Sequence, residues 1–179
     1  MESISFLGCG SWGGALGDML SKKGVPVVFW HRNPKTIDQI QNTGKHYLIA
    51  DLQFTKNVKF TNDISFAIDA SPIIVLAIPS QSIRKLLVQN NSIFSNKKII
   101  VTVSKGIEND SLMTMSEVIN DVYGEDYKRT VVLSGPSHAE EVVKKFPTTL
   151  VAASKNDSSS KTIQKLFSNK YLRTYLNKD

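Results

Sequence analysis

The sequence predicts an α/β fold with a doubly wound, mostly parallel sheet. Strand-like apolar segments alternate with helix-like segments along the whole chain. Residues 73–78 and 99–103 are unbroken apolar runs, which are typical of strands that helices bury on both faces. Near the start, an apolar segment leads into a glycine-rich turn and then into a helix-compatible segment. These three features predict a single domain of three layers.

The first strand, turn and helix carry a recognisable glycine pattern. Gly8, Gly10 and Gly13 follow the strand predicted at Ile4–Leu7 and match G-x-G-x-x-G. Gly8 permits the tight turn, Gly10 leaves room for a pyrophosphate, and Gly13 lets the helix pack close to the strand. The helix predicted at Ser11–Lys22 would direct its free N–H groups at that pyrophosphate. The pattern favours a Rossmann-type dinucleotide site over a purely structural turn in an unrelated α/β protein.

The remaining elements continue the alternation. Asn33 and Pro34 suit the N-cap and first position of the second helix, and Gly24 suits the end of the first. Further strands are predicted at 27–30, 58–60, 73–78, 99–103, 131–133, 148–153 and 172–176. Further helices are predicted at 34–42, 63–67, 80–89, 111–122, 137–144 and in a segment that ends at 167, and 44–57 is predicted to be a long connection.

Several of these elements have signals of their own. The helix at 111–122 carries an apolar stripe at helical spacing, which predicts core packing: Leu112, Met115, Val118, Ile119 and Val122. Asn62 or Asp63 is expected to cap the third helix. Ser137 is expected to cap the helix that follows it, and residues 156–160 offer caps for the last helix.

Composition narrows the class of protein. A chain of 179 residues suits one domain, and 22 Lys and Arg residues give a net charge of +6. Because these cations are scattered, we expect a field that attracts anionic small molecules, and no nucleic acid partner. Cys9 is the single cysteine, so the chain has no internal disulfide, and we expect a cytoplasmic protein without a membrane span. Cys9 fills space in the glycine loop.

Ligands of this fold lie beyond the carboxyl ends of the parallel strands. Small, turn-forming and cationic residues follow those ends in this sequence. They are Gly8–Gly13 after the first strand, His31 and Arg32 after the second, Pro79 and Ser80, Ser104 to Gly106, and Ser134 to Ser137 after later ones. We expect cofactor contacts among them, His31 and Pro79 included.

The end of the second strand bears on cofactor choice. An acidic residue there would bind the ribose 2′-hydroxyl of NAD, but this chain has His31 and Arg32, and Asp38 lies inside the next helix. A guanidinium suits a 2′-phosphate, so NAD(P)H binding with a preference for NADPH is expected. The alternative is that Arg32 is an exposed cation stacked over the adenine.

Lys105 and His138 also follow predicted strands. Lys105 lies between Ser104 and Gly106 after a buried strand, where it is either a surface lysine or a cation that holds an anionic or carbonyl oxygen. His138 shows no sign of acid or base chemistry. Neither metal-ligand spacing nor a nucleophile–base pair is evident, so no metal is expected.

Several segments, in order, resemble bacterial soluble NAD(P)-dependent glycerol-3-phosphate dehydrogenase, in its N-terminal part. GCGSWGGALG, FWHRNP, LAIPSQSIR, SKGIE, LSGPSHAEEV, PTTLVAAS and FSNKYLRTYLNKD carry the resemblance, which covers essentially the whole chain. SKGIE and LSGPSHAEEV are its specific parts. The resemblance implies reduction of dihydroxyacetone phosphate to sn-glycerol 3-phosphate for phospholipid synthesis.

The resemblance also implies roles for particular residues. It places cofactor contacts at Ser11, Trp12, Arg32, Lys105 and Ala139, and substrate contacts at Lys105, Gly135 and Ser137. Lys105 becomes the candidate catalytic residue, in an electrostatic role on the substrate side. The chain departs from the family at Cys9, usually alanine, and at His138, often phenylalanine.

A larger departure concerns the family's proton-accepting lysine, which lies in a GALKN-like segment that this sequence does not contain. Residues 1–179 are therefore expected to be the cofactor-binding domain without the helical substrate domain, to bind cofactor and to turn over little. A homodimer is expected for the full-length enzyme. The alternatives are the first domain of a 6-phosphogluconate-type or ketopantoate-type reductase, or a non-catalytic NAD(P)H-sensing module.

Overall fold

The computed structural model describes residues 2–94, 97–124 and 127–178. The strands are β1 Ile4–Leu7, β2 Val27–Trp30, β3 Val58–Thr61, β4 Ile73–Leu76, β5 Ile99–Thr102, β6 Thr130–Ser134, β7 Thr148–Ala153 and β8 Leu172–Asn177. The helices are α1 Ser11–Lys22, α2 Pro34–Thr43, α3 Ile64–Asp69, α4 Ile83–Gln89, α5 Met115–Tyr123, α6 Ala139–Val143 and α7 Asp157–Phe167, with a 3₁₀ turn at Ser80–Ser82.

The strands form one sheet in the order β3-β2-β1-β4-β5-β6-β7-β8. Neighbouring strands are parallel except β6 and β7, which are antiparallel. Leu7, the last residue of β1, is level with Trp30 of β2 and Leu76 of β4. The carboxyl ends of β1 to β6 therefore share one edge, and the strand order reverses beside β1. The doubly wound, mostly parallel fold is confirmed.

Helices cover both faces of the sheet, so the domain has three layers. In β4, Ile73 and Val75 join the apolar cluster that α1, α2, α6 and α7 cover. Ile74 and Leu76 join the cluster that α3, α4 and α5 cover. This alternation follows from the period of two in a strand, and it explains why β4 reads as a continuous apolar run.

Capping residues in the sequence correctly predict the starts of several helices and the end of α1. The Asn33 side chain accepts a hydrogen bond from the Lys35 N–H at 3.0 Å, with Pro34 at the first position. Asp63 and Asn156 cap α3 and α7 in the same way. Gly24 follows α1 with φ +88°, which is the left-handed conformation expected after a helix.

The helix predicted at 111–122 starts later than expected. Thr114 caps it, and the Glu117 carboxylate accepts a hydrogen bond from the Thr114 N–H at 2.8 Å, so α5 begins at Met115. Leu112 lies outside the helix with φ +58° and is 70% exposed, so its assignment to the core stripe was wrong. The other four members of the stripe are buried or pack against the core.

Several other predicted elements differ in their bounds. Differences of one or two residues at an end are found in α2, β3, α3, β5, β6, α6 and β8. β4 is shorter than predicted and ends at Leu76. Beyond it, the carbonyl of Ile78 accepts a hydrogen bond from the Ser104 hydroxyl. The helix predicted at 80–89 opens as a 3₁₀ turn. Ser137 is not the helix cap that was predicted. His138 occupies the N-cap position of α6, and Ser137, the residue before it, is buried. Within residues 2–94, 97–124 and 127–178, no helix is long and apolar enough to cross a membrane.

Candidate active site

A cleft of about 420 Å³ opens at the edge where the parallel strands end. The segments that follow β1, β4, β5 and β6 line it. Its residues are Gly10–Gly13, Ala77, Ile78, Val103–Lys105 and Ser137–Glu140. The topology thus brings together the glycine loop, Lys105 and the start of α6, which lie far apart in the sequence.

The glycines of the loop have different structural reasons. Gly8 has φ +116°, and a Cβ there would lie 2.3 Å from the carbonyl oxygen of Ala77, so the turn excludes any side chain. At Gly13 a Cβ would lie 2.8 Å from the Ala77 Cβ and 2.8 Å from the Gly8 oxygen. At Gly10 a Cβ would meet no atom within 4 Å. Gly8 and Gly13 therefore serve packing, whereas Gly10 faces open space.

The N-terminus of α1 has the features of an anion site. Gly10 is its N-cap in an extended conformation, and neither a side-chain cap nor an acidic residue in the first turn satisfies it. The N–H groups at Ser11 and Trp12 consequently have no intrahelical acceptor, because the first bond of the helix runs from Gly14 to Gly10. Open space at Gly10 and free donors beside it fit a pyrophosphate group.

Lys105 is carried by a loop that is fixed from both sides. The Ser104 hydroxyl donates to the carbonyl of Ile78 at 2.6 Å, which ties the start of the loop to the end of β4. Beyond Gly106, the Gln81 amide donates to the Ile107 carbonyl at 2.8 Å and accepts from the Asn109 N–H at 3.0 Å. The exposed Lys105 ammonium is therefore presented by a constrained backbone.

A cluster of ion pairs ties the same loop to helices α4 and α5. Arg84 of α4 donates to both carboxylate oxygens of Glu108, at 2.9 and 3.0 Å, and also pairs with Asp121 of α5. The Ser111 hydroxyl donates to the same carboxylate. Hydrogen bonds from Arg84 and Ser111 hold the pKa of Glu108 below its ordinary value, so Glu108 stays charged at neutral pH.

Gly135 and Ser137 are placed by the β6–α6 turn. A Cβ at Gly135 would lie 2.4 Å from the Thr149 oxygen, so the antiparallel neighbour β7 requires glycine there. The Gly135 carbonyl accepts from the Ser137 N–H at 3.0 Å and from the Lys105 ammonium at 3.5 Å. Ala139 and Glu140 line the cleft at the start of α6, and Glu140 was not anticipated from the sequence.

Some predicted site residues lie outside the lining of the cleft. His31 and Arg32 follow β2, next to the glycine loop, and Arg32 is exposed. Gly8 is not among the residues that line the cleft. Pro79 is the N-cap of the 3₁₀ turn, and the two residues before it, Ala77 and Ile78, line the cleft. His31 and Arg32 would extend the site along the sheet edge.

Cys9 is fully buried in the glycine loop, and burial raises the pKa of its thiol far above the ordinary value. It is therefore an unreactive, space-filling residue at neutral pH. Among the described residues, no group of three or more His, Cys, Asp or Glu side chains is arranged to hold a metal ion.

The chain is similar to one half of several known enzymes that share a name. The chain is 41% identical, over 182 aligned residues, to glycerol-3-phosphate dehydrogenase [NAD(P)+] of Staphylococcus haemolyticus, covering 100% of this chain and 54% of that protein. The corresponding protein of Staphylococcus aureus is also 41% identical. The chain thus spans about half the length of these relatives.

Solved structures agree with this assignment. Glycerol-3-phosphate dehydrogenase from Coxiella burnetii superposes with a TM-score of 0.89 at 26% identity, over 98% of this chain and 54% of that one. Prephenate dehydrogenase from A. aeolicus, solved with NAD+, gives a TM-score of 0.69 at 13% identity and shares the fold alone. The family model described as NAD-dependent glycerol-3-phosphate dehydrogenase N-terminus matches residues 3–160, and the chain belongs to that family.

Proposed function

We propose that this chain binds NADPH at the glycine loop and forms the cofactor half of an enzyme that reduces dihydroxyacetone phosphate to sn-glycerol 3-phosphate. The observation that carries the proposal is the uncapped N-terminus of α1, with open space at Gly10, facing a cleft that also contains Lys105. The relatives named for this activity supply the substrate class.

The residues at the sheet edge divide the work of holding the cofactor. The N–H groups of Ser11 and Trp12 would bind the pyrophosphate, and Ala139 lies across the cleft for a further contact. Arg32 is exposed beside the loop, where its guanidinium would pair with a 2′-phosphate. This pairing is the basis for proposing NADPH over NADH. When bound, the reduced nicotinamide supplies a hydride.

Lys105 would act on the substrate side. Its ammonium lies at the cleft on a loop held by Ser104, Gln81 and Arg84, so the backbone that carries the charge is already in place when substrate binds. A cation at that point stabilises the negative charge that develops on the carbonyl oxygen during reduction. Gly135, whose carbonyl accepts from Lys105, and Ser137, which lines the cleft, would complete the substrate contacts.

The 179 residues would bind cofactor without efficient turnover. The family's proton-accepting lysine is expected in a GALKN-like segment, which has no counterpart in this sequence, and the relatives are nearly twice as long. We place the activity in the cytoplasm, in keeping with the single, buried, unpaired cysteine.

Calorimetric titration of the chain with NADPH and with NADH tests the proposal. We expect saturable binding of both, with NADPH binding tighter, and little oxidation of NADPH when dihydroxyacetone phosphate is added. Absence of binding by either dinucleotide would overturn the proposed function. Tighter binding of NADH would overturn the cofactor preference alone.

A further inference from the structure

His46 is a buried histidine in the connection between α2 and β3 that no role described above uses. Its side chain lies beside the glycine loop and is only 4% exposed. The ring nitrogen Nε2 lies 3.1 Å from the carbonyl oxygen of Cys9, which is a residue of the loop itself. A residue 37 positions away in sequence thus contacts the backbone on which the anion site is built.

The hydrogen bonds of His46 define its tautomer. Nδ1 accepts from the backbone N–H groups of Leu48 at 3.0 Å and Ile49 at 3.1 Å, so it carries no proton. The proton of the neutral ring is therefore on Nε2, which donates to the Cys9 carbonyl. The ring is held on both sides and bridges the connection to the loop.

The first turns of α1 are shaped to admit this ring. A Cβ on Gly14 would lie 2.5 Å from Nε2 and 2.6 Å from Cδ2 of His46. Gly14 lies outside G-x-G-x-x-G, so the dinucleotide pattern does not account for it. Its lack of a side chain is explained by the close approach of His46.

Holding the Cys9 carbonyl also orients the donor next to it. The peptide between Cys9 and Gly10 is planar, and the structure contains no cis peptide bond among its described residues. The direction of the Cys9 carbonyl therefore fixes the direction of the Gly10 N–H. Gly10 is the N-cap of α1 and lines the cleft.

We propose that His46 is a positioning residue for the cofactor: by donating to the Cys9 carbonyl, it fixes the glycine loop in the conformation that binds the pyrophosphate. This inference rests on the proposed function and adds a residue to its site. It assigns His46 to the pyrophosphate part of the dinucleotide and not to the 2′-phosphate part beside Arg32.

Two substitutions separate the contacts of His46. In His46→Asn, the side-chain oxygen takes the place of Nδ1 and preserves the local turn with Leu48 and Ile49, but the shorter side chain does not reach Cys9. In His46→Gln, the longer amide restores an N–H donor near the position of Nε2. Gly14→Ala serves as an independent variant, because its methyl group displaces the ring from the loop.

Dissociation constants are measured by calorimetry for NADPH, and by NMR titration for 2′-AMP, which lacks a pyrophosphate. Thermal unfolding and circular dichroism check that each variant is folded. We expect His46→Asn and Gly14→Ala to weaken NADPH binding about fivefold or more, which is the scale of one lost hydrogen bond. We expect His46→Gln to recover most of the affinity, and 2′-AMP binding to stay within about twofold in all variants.

Equal NADPH affinity in wild type and His46→Asn would overturn the inference. A parallel loss of NADPH and 2′-AMP affinity, or no recovery in His46→Gln, would also overturn it, because His46 would then support the fold in general. A wild-type chain that binds no NADPH would overturn the proposed function itself, so the two failures are distinguishable.

Discussion

The Lys105 ammonium lies 3.5 Å from the carbonyl oxygen of Gly135, so the loops that follow β5 and β6 meet at one point of the cleft. The family resemblance predicts substrate contacts at both residues, and the fold brings them together. The contact is long and exposed, and it leaves the ammonium available to an incoming oxygen.

Lys105→Ala is expected to change binding and not stability. Because the side chain is exposed, we expect the free energy of unfolding to stay within about 0.5 kcal/mol of wild type. Loss of one charged contact is expected to weaken NADPH binding by about 1 kcal/mol, or roughly fivefold. Calorimetry and urea unfolding measure the two quantities, with Lys85→Ala on the exposed side of α4 as the control. An equal effect of Lys85→Ala on binding would contradict a specific role.

Gly10→Ala is expected to impair cofactor binding, whereas Gly13→Ala is expected to lower folding stability. A methyl group at Gly10 meets no atom within 4 Å, so Gly10→Ala should fold normally but obstruct the pyrophosphate. A methyl group at Gly13 would lie 2.8 Å from Ala77 and from Gly8, so Gly13→Ala should lose about 1–3 kcal/mol of folding stability. Thermal unfolding and NADPH titration of both variants distinguish the two effects. Unimpaired NADPH binding by Gly10→Ala would be incompatible with the proposed site.

Arg32→Ala tests the 2′-phosphate assignment. Removing the guanidinium should weaken NADPH binding about tenfold or more and change NADH binding by less than about twofold, because only NADPH carries the 2′-phosphate. Lys35→Ala, an exposed cation in the first turn of α2, is the matched control for the loss of one positive charge. Equal weakening of both dinucleotides by Arg32→Ala would show that Arg32 serves a part the two cofactors share.

The stability of the chain is expected to depend on pH through His46. Burial lowers the pKa of His46 below its ordinary value of 6.5, and the nearby His31 lowers it further, whereas hydrogen bonds to the loop backbone act in the opposite direction. The neighbouring Cys9 thiol and Tyr47 hydroxyl are neutral between pH 5 and 8, since burial raises the pKa of both groups.

The folded state therefore binds its proton less readily than the unfolded state does. Stability from neutral His46 is complete above about pH 6.5 and falls as the pH decreases below that value. Urea unfolding of wild type and His46→Asn between pH 5 and 8 measures this component. The free energy of unfolding should fall more steeply for wild type, and parallel curves would show that His46 does not titrate in this way.

Much of the fold was predictable because its signals are local. Strand β1, helix α1 and strand β7 have the predicted bounds, and apolar continuity identified β4 and β5 as buried strands. Errors arose where one local signal outweighed another. Leu112 continued an apolar stripe, but the capping pair Thr114 and Glu117 starts the helix after it.

The candidate site was predictable in part from the order of the predicted strands. Residues that follow the strands share an edge, so Ser11, Lys105 and Ser137 could be placed together from topology alone. Glu140 was missed, and so were His46, Gln81 and Arg84, which make contacts with chain segments that are distant in sequence. Gly14 was an available signal for His46, because a glycine inside α1 that the dinucleotide pattern does not require is consistent with a close neighbour.

The central claim is that a dinucleotide lies along the edge formed by the carboxyl ends of β1, β2, β5 and β6. Backbone amide NMR of the ¹⁵N-labelled chain, titrated with NADPH, tests it most directly. We expect the largest shift changes at Gly10–Trp12, Arg32, Lys105 and Ala139, with little change at Phe60 and Phe66 in the groove beside β3. Saturable changes concentrated in that groove, with the glycine loop unaffected, would contradict the account.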